Sequence, residues 1–264
     1  MNVFIAGITS DIAFYCANRF LERGDVVSGT YRSFNDYTFQ EKVNKSGGDL
    51  FFCDFSDFES INHCVEEVLG TGTHWDVFIS AVGIIEPVED FVRVNMDLWE
   101  KNLRVNAIAQ IKFLHELLPF RNNNASVFFM TSKGVNDSFS RHSAYCLSKI
   151  LLIKLCELLD DEIGDCKFVA FNPGFIETKI IKQEPGRYVS AEGEGGCCEA
   201  SLERVWEFLC WAIRIPKQIV SGRSFFVKYD KWKSSSFCDF LTEFNDAYKL
   251  RRFMDEWVRE KGKE

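Results

Sequence analysis

The chain has 264 residues, 46% of them hydrophobic and 27% charged, with a formal net charge of −8. That length buries one sizeable core, and the acidic balance argues against a nucleic-acid backbone or an anionic membrane as the main partner. No apolar run reaches the roughly 18 residues that span a bilayer, and the first residues enter a strand-like run with no basic start or cleavage site of a signal peptide.

The first element is Asn2-Val-Phe-Ile-Ala6, a short buried strand. Gly7-Ile-Thr-Ser-Asp-Ile-Ala13 follows, and residues 14–22 have helical character. A glycine directly after a buried strand, at a helix start, lets a backbone approach a pyrophosphate. A three-glycine fingerprint would carry glycine where Asp11 and Ala13 stand. Ala13 keeps close helix–strand packing possible, whereas Asp11 puts a carboxylate near the phosphates or caps the helix. Read alone, the stretch is equally a plain strand–turn–helix.

Residues 25–33 read as a second strand whose end is Thr30-Tyr-Arg-Ser33. In a dinucleotide fold this end meets the adenosine ribose, where a carboxylate holds the 2′-hydroxyl and a basic residue suits a 2′-phosphate. Arg32 and the missing carboxylate favour NADP(H) over NAD(H), the other reading of Arg32 being a surface charge. Asp36 reaches the ribose only if the loop folds back.

Residues 49–53 give a third strand ending at Asp54, and residues 57–69 a helix with Ile61, Val65, Val68 and Leu69 on one face. Residues 75–80 form a fourth strand running into Ala81-Val-Gly83. A long helix over 96–118 bears Asn106, and residues 125–130 form the fifth strand. A helix over 145–159 and a sixth strand over 167–171 follow, the latter leading into Asn172-Pro-Gly-Phe-Ile-Glu-Thr178. This alternation predicts a doubly wound, mostly parallel α/β sheet covered on both faces, with one Rossmann-type domain over 1–264.

Tyr145 and Lys149 stand four apart, one turn apart on one helix face. A phenol has a pKa near 10; a neighbouring ammonium favours the phenolate and would tune it as a general acid or base. Ser132, just past the fifth strand, can bring a hydroxyl beside that phenol. A Tyr–Lys pair alone is commoner as a solvated pair, so the order of the surrounding motifs decides.

That order resembles the short-chain dehydrogenase/reductase family over essentially the whole length. The Gly7–Ala13 stretch resembles the family's cofactor turn, Asp54 its adenine-contacting acid, and Asn106 its structural and proton-relay asparagine. Ser80-Ala-Val-Gly83 stands where the family often has Asn-Asn-Ala-Gly. Ser132, Tyr145 and Lys149 resemble the catalytic serine and the Tyr-x-x-x-Lys pair, and Asn172-Pro-Gly174 with Thr178 the loop that holds the nicotinamide carboxamide. Asp11, Ala13 and the missing Asn-Asn are departures from the pattern.

The resemblance implies a nicotinamide cofactor lying across the strand ends. Gly7, Thr9, Ser10, Asp11 and Ile12 would hold its phosphates, and Arg32, Asp54 and Phe55 its adenosine half. Ala81, Val82 and Gly83, with Pro173, Gly174, Ile176 and Thr178, would line the rest. Ser132 would orient the substrate oxygen, Tyr145 pass the proton, and Lys149 tune Tyr145 and hold the ribose. Asn106 would help hold Lys149 through water.

Residues 180–200, with Lys182, Arg187 and Tyr188, read as a mobile substrate loop over the site, leaning towards a polar substrate. Residues 202–213 form an amphipathic helix, and residues 221–227 the last strand. A charged, helix-like tail over 229–264 resembles the ending of short-chain reductases of bacterial surface-polysaccharide pathways, which implies a sugar-like carbonyl or secondary alcohol. The helices over 96–118 and 145–159 are apolar on more than one face, which predicts a homodimer or homotetramer.

The ten cysteines are scattered, many in apolar runs, as buried free thiols are, so a reduced cytoplasmic protein is expected. Two other readings remain: a dinucleotide-binding regulator without catalysis, favoured by the altered glycine turn, and a cysteine or metal enzyme built on Cys197-Cys198. The four histidines show no ligand spacing, so no metal is expected.

Overall fold

Seven strands form the sheet in a computed structural model that describes residues 1–136, 138–176, 178 and 199–251. They are β1 (Asn2–Ala6), β2 (Val26–Tyr31), β3 (Leu50–Phe52), β4 (Trp75–Ser80), β5 (Arg121–Met130), β6 (Cys166–Asn172) and β7 (Arg223–Phe226). Their order is β3-β2-β1-β4-β5-β6-β7, and every pairing is parallel. Each parallel neighbour needs a crossover, and the helices that supply them cover both faces.

Side-chain alternation divides each strand between two cores. Val3 and Ile5 of β1 face one core, with α1 (Asp11–Glu22), α2 (Tyr37–Ser46) and α7 (Glu199–Arg214). Phe4 and Ala6 face the other, with α3 (Phe58–Gly70), α5 (Ala109–Leu117) and α6 (Ser143–Glu162). The remaining helices are α4 (Met96–Leu103), the single turn α8 (Lys217–Val220) and α9 (Ser235–Glu243). All seven residues of β6 are buried, and its centre, Phe168 to Phe171, is an apolar run with the two buried polar residues Lys167 and Asn172 towards its ends. Among the described residues no helix is long and apolar enough to cross a membrane.

The chain builds outward from β1 to β2 and β3, then returns to the far side of β1 with β4. The strand order reverses there, so a crevice opens between the carboxyl ends of β1 and β4.

Three features depart from the sequence reading. Helix α2 was not expected: only Phe39 and Val43 are buried along it, a stripe too thin to read. Its stability comes from its ends, with Asp36 accepting from Phe39 N at 3.0 Å and Gly47 closing it at φ 90°. The helix expected over 96–118 is broken by a π turn at Arg104–Ile108. The tail forms a helix at Ser235–Glu243, upstream of the charged stretch around Tyr248, and packs on its own chain. Buried Arg223 holds it by donating to the carbonyls of Leu241, Phe244 and Ala247. The stretch over 179–198, including Cys197-Cys198 and nearly all of the expected substrate loop, lies outside the described residues, as does the tail beyond Arg251.

Candidate active site

The crevice begins at Gly7. Its φ is 75°, and a Cβ there would lie 3.1 Å from Val82 Cγ2 and 3.3 Å from the backbone of Ala81 and Val82. Only glycine lets β1 turn this close to the end of β4. The turn is tied down by Gly7 N donating to Thr30 Oγ1 and Ile8 N donating to Thr30 O, both at 2.9 Å. Ser10 occupies the N-cap position of α1, and Asp11 is the first helical residue. The cap alternative for Asp11 is thereby corrected. Its carboxylate sits in the first turn, where the helix end favours negative charge. Thr9 is half-buried, whereas Ile12 packs in the core, so Ile12 offers a ligand its backbone only.

At the end of β2, Arg32 is exposed. Burial alone would raise the Asp54 carboxyl, but the backbone and hydroxyl of Ser56, then the charges of Arg32 and Lys101, outweigh it and hold it low. Arg32 and Asp54 therefore face one region. Phe55 is 5% exposed with its ring against Phe113, so its side chain belongs to the core. Asp36 is engaged as the α2 cap described above.

Tyr145 and Lys149 lie in the first turns of α6, next to the exits of β4 and β5. Lys149 is 4% exposed, and its Nζ lies 5.6 Å from the centre of the Tyr145 ring. Burial pushes the Tyr145 phenol up to about 12; the neighbouring Cys146 adds to this, and the adjacent Ser132 hydroxyl opposes it. Burial also pushes Lys149 down to about 8. The expected lowering of the phenol by the ammonium is not found: desolvation dominates, and the phenol is protonated at neutral pH.

Asn106 sits in the π turn, fully buried. Its Oδ1 accepts from Ile84 N, and its Nδ2 donates to Ile84 O, both at 2.7 Å. A Cβ on Gly83 would lie 3.5 Å from Asn106 Oδ1 and 3.7 Å from Lys149 Nζ. Gly83 therefore leaves a hollow into which both residues look. Asn102 and Gln110, which carry no motif, flank Asn106 one turn away on either side; their spacing of four was the available clue.

Beyond β6, Gly174 turns at φ 89° and donates its N–H to Asn172 Oδ1 at 2.9 Å. Pro173 and Thr178 are half-buried, and Ile176 is in the core.

Four buried polar atoms, Ser10 Oγ, Thr131 Oγ1, Ser132 Oγ and Asn172 Nδ2, have no well-formed hydrogen bond among the described residues. All lie just past, or at, the carboxyl ends of β1, β5 and β6. An unsatisfied buried polar group costs about 1–3 kcal/mol, so this row of atoms suits a polar ligand laid across the strand ends. The sequence reading missed Thr131. Among the described residues no cluster of His, Cys, Asp or Glu has the makings of a metal site, and the eight described cysteines are free thiols.

Residues 7–193 match the sequence profile of a family described as enoyl-(acyl carrier protein) reductase. An uncharacterized oxidoreductase of Saccharomyces cerevisiae is 26% identical over 164 residues, 61% of this chain and 63% of that protein. A fatty acyl-CoA reductase of Acinetobacter baylyi is 24% identical over 199 residues, 69% of this chain and 66% of that protein. The chain thus spans slightly less than two thirds of either relative. A solved short chain dehydrogenase of Shigella flexneri 2a, complexed with NADP, superimposes with a TM-score of 0.73 at 16% identity, covering 86% of this chain and 96% of that one. A short-chain dehydrogenase/reductase of S. cerevisiae gives 0.67 at 18%, covering 90% and 98%. At such identities the likeness is one of fold.

Proposed function

The chain belongs to the short-chain dehydrogenase/reductase family, and from that premise we propose that it is an NADP-dependent oxidoreductase acting on a carbonyl or secondary alcohol of a small polar substrate. The observation that supports this reading is that Asn106 Oδ1 and Lys149 Nζ meet beside Gly83, with the Tyr145 ring 5.6 Å from Lys149 Nζ, Ser132 next to its phenol, and a row of buried polar atoms at the strand ends.

The nicotinamide, when bound, supplies or takes the hydride. In the reductive direction Ser132 Oγ donates a hydrogen bond to the substrate oxygen. Tyr145, protonated at neutral pH, would give its proton to that oxygen as the carbon gains the hydride, so an alcohol leaves and a phenolate remains. Lys149 stabilises the phenolate, which is recharged from solvent. Asn106 keeps the β4 exit and the Lys149 ammonium in register. Ser10, Gly7 and the start of α1 would hold the phosphates, Arg32 the 2′-phosphate, and Asn172 Nδ2 with the Pro173–Gly174 turn the carboxamide end.

The polar residues Lys182, Arg187 and Tyr188 support a polar, sugar-like substrate; the relatives' names point to acyl compounds for those proteins. Free buried thiols support a reducing, cytoplasmic setting. Ile108 (47% exposed), Leu147 (46%), Leu151 (44%) and Leu158 (46%) leave an apolar strip on α6 and the π turn, which supports a homodimer through that face.

The test is NADPH turnover against sugar-like ketones, aldehydes and acyl thioesters, followed at the nicotinamide absorbance. Turnover with a sugar-like ketone is expected. Turnover confined to acyl thioesters overturns the substrate class, and tight NADPH binding without turnover favours a non-catalytic sensor.

A further inference from the structure

The polar side chains behind the site form a ladder. Asn102, Asn106 and Gln110 are spaced by four residues and form one stripe across the π turn, each at most 1% exposed. Five of their nine hydrogen bonds go to backbone atoms of one segment, the exit of β4. Asn102 Nδ2 donates to Glu86 O at 2.7 Å and Ile84 O at 3.2 Å. Asn106 holds both backbone groups of Ile84, and its Nδ2 also donates to Asn102 Oδ1 at 2.9 Å. Gln110 Nε2 donates to Val82 O at 3.1 Å and to the π-turn carbonyls of Asn106 at 2.6 Å and Val105 at 3.3 Å. Ser80, 1% exposed, donates to Gln110 Oε1 at 2.6 Å. The three carbonyls can only accept, so they fix the amide's orientation with Nε2 towards them and leave Oε1 to accept from Ser80.

A buried amide network is costly unless every member is satisfied, and satisfied it selects one geometry. This one grips residues 82–86 at alternating positions. Gly83, in the middle of the gripped segment, is the floor on which Asn106 Oδ1 and Lys149 Nζ converge.

We propose that Asn102 and Gln110 are positioning residues for the reaction, zipping the β4 exit to the π turn and so setting the Gly83 floor against Lys149 and Tyr145. This rests on the reading of Tyr145 and Lys149 given above. Neither amide reaches the substrate; they act through Asn106 and the Val82–Glu86 backbone. Gln110 also covers the carbonyl of Asn106, closing it to water.

Gln110→Met keeps the volume and removes all four hydrogen bonds. Misplacing reacting groups by about 1 Å costs up to about 100-fold in rate, so the single-turnover rate of NADPH oxidation is expected to fall about 10- to 100-fold. Substrate KM and NADPH Kd should stay within about threefold, and Ile84 amide exchange should speed up. A variant with wild-type rate and unchanged Ile84 exchange overturns the proposal, as does a rate loss matched by an equal loss of folded protein. If Gln110→Met fails to fold, Asn102→Ser, which loosens only the outer rung, takes its place: a slowed single turnover with faster Ile84 exchange supports the ladder, and wild-type values of both overturn it. Absence of turnover in the wild type on every substrate class overturns the functional reading instead. The ladder is then judged by whether NADPH slows Ile84 exchange in the wild type and fails to do so in the variant; equal slowing overturns it.

Discussion

The two ends of the crevice are built differently. At the phosphate end, the groups proposed to meet the dinucleotide are charged and at or near the surface: Asp11 in the first turn of α1, Arg32 exposed past β2, and Asp54 balanced between burial and its neighbours. At the other end Lys149 and Asn106 are buried, and Asn106 is held by a network with no slack. Surface charges are screened and contribute modestly, whereas groups removed from water are displaced far from their ordinary chemistry. Substitutions at the first end should therefore change which cofactor is preferred, and substitutions at the second should change whether a reaction occurs.

The sharpest way to break this comparison is Tyr145→Phe. Losing the proton donor assigned to the reaction should lower kcat by about 10²- to 10⁴-fold, with NADPH Kd nearly unchanged. Near-wild-type turnover would mean that the buried end does not carry the chemistry.

Helix α6 carries Lys149 inward and Leu151 outward, so Leu151→Lys asks whether the buried end depends on assembly. A charge in an apolar interface costs several kcal/mol unless paired, enough to weaken a dimer by about 100-fold or more. Light scattering at micromolar concentration should show a dimer for the wild type and a monomer for the variant. A monomeric wild type refutes the interface.

At the phosphate end, Arg32→Ala should shrink the kcat/KM preference for NADPH over NADH by roughly one to two decades. This corresponds to about 1.5–3 kcal/mol for one charge-assisted contact. An unchanged preference, or a wild type that favours NADH, makes Arg32 a surface charge only.

The displaced pKa values of the buried end predict a pH profile. Lys149 is charged below about 8, and Tyr145, at about 12, stays protonated through the working range. Reductive kcat should therefore fall as pH rises through about 8, by at most about tenfold per unit. A flat profile from about pH 7 to 10 would exclude the ammonium from the step. Stability runs the other way. With the folded pKa of Lys149, about 8, below its unfolded value of 10.5, the unfolded chain holds more protons between the two, so the Lys149 contribution to stability rises with pH across that window. Lys149→Met should remove that rise in urea melts.

The smallest effect tests the rival acid at the phosphate end. Asp36→Ala removes the cap of α2 and should cost about 1 kcal/mol of stability by denaturant melting, leaving the cofactor preference unchanged. A changed preference would return Asp36 to the ribose.

Much of this was legible in the chain. Strand–helix alternation gave the doubly wound sheet because parallel strands buried on both faces are mostly apolar, as β6 is from Phe168 to Phe171. Tyr145, Lys149 and Gly7 were readable because helix spacing and the turn after a strand are local properties. Helix α2 was not, since its caps outweigh a two-residue apolar stripe.

What the sequence determined by itself was therefore the order of elements, the position of the crevice, and which phenol, ammonium and hydroxyl could meet there. Tertiary structure alone decided their protonation, because desolvation depends on what packs around a group and not on what neighbours it in the chain. It also decided which partners the amides of Asn102 and Gln110 find, and that Thr131 Oγ1 is buried at the strand ends. A buried amide or hydroxyl acquires a function only from the backbone that folding brings within hydrogen-bond reach, and residues 80–86 and 102–110 are separated in the chain by a loop that carries no trace of their pairing.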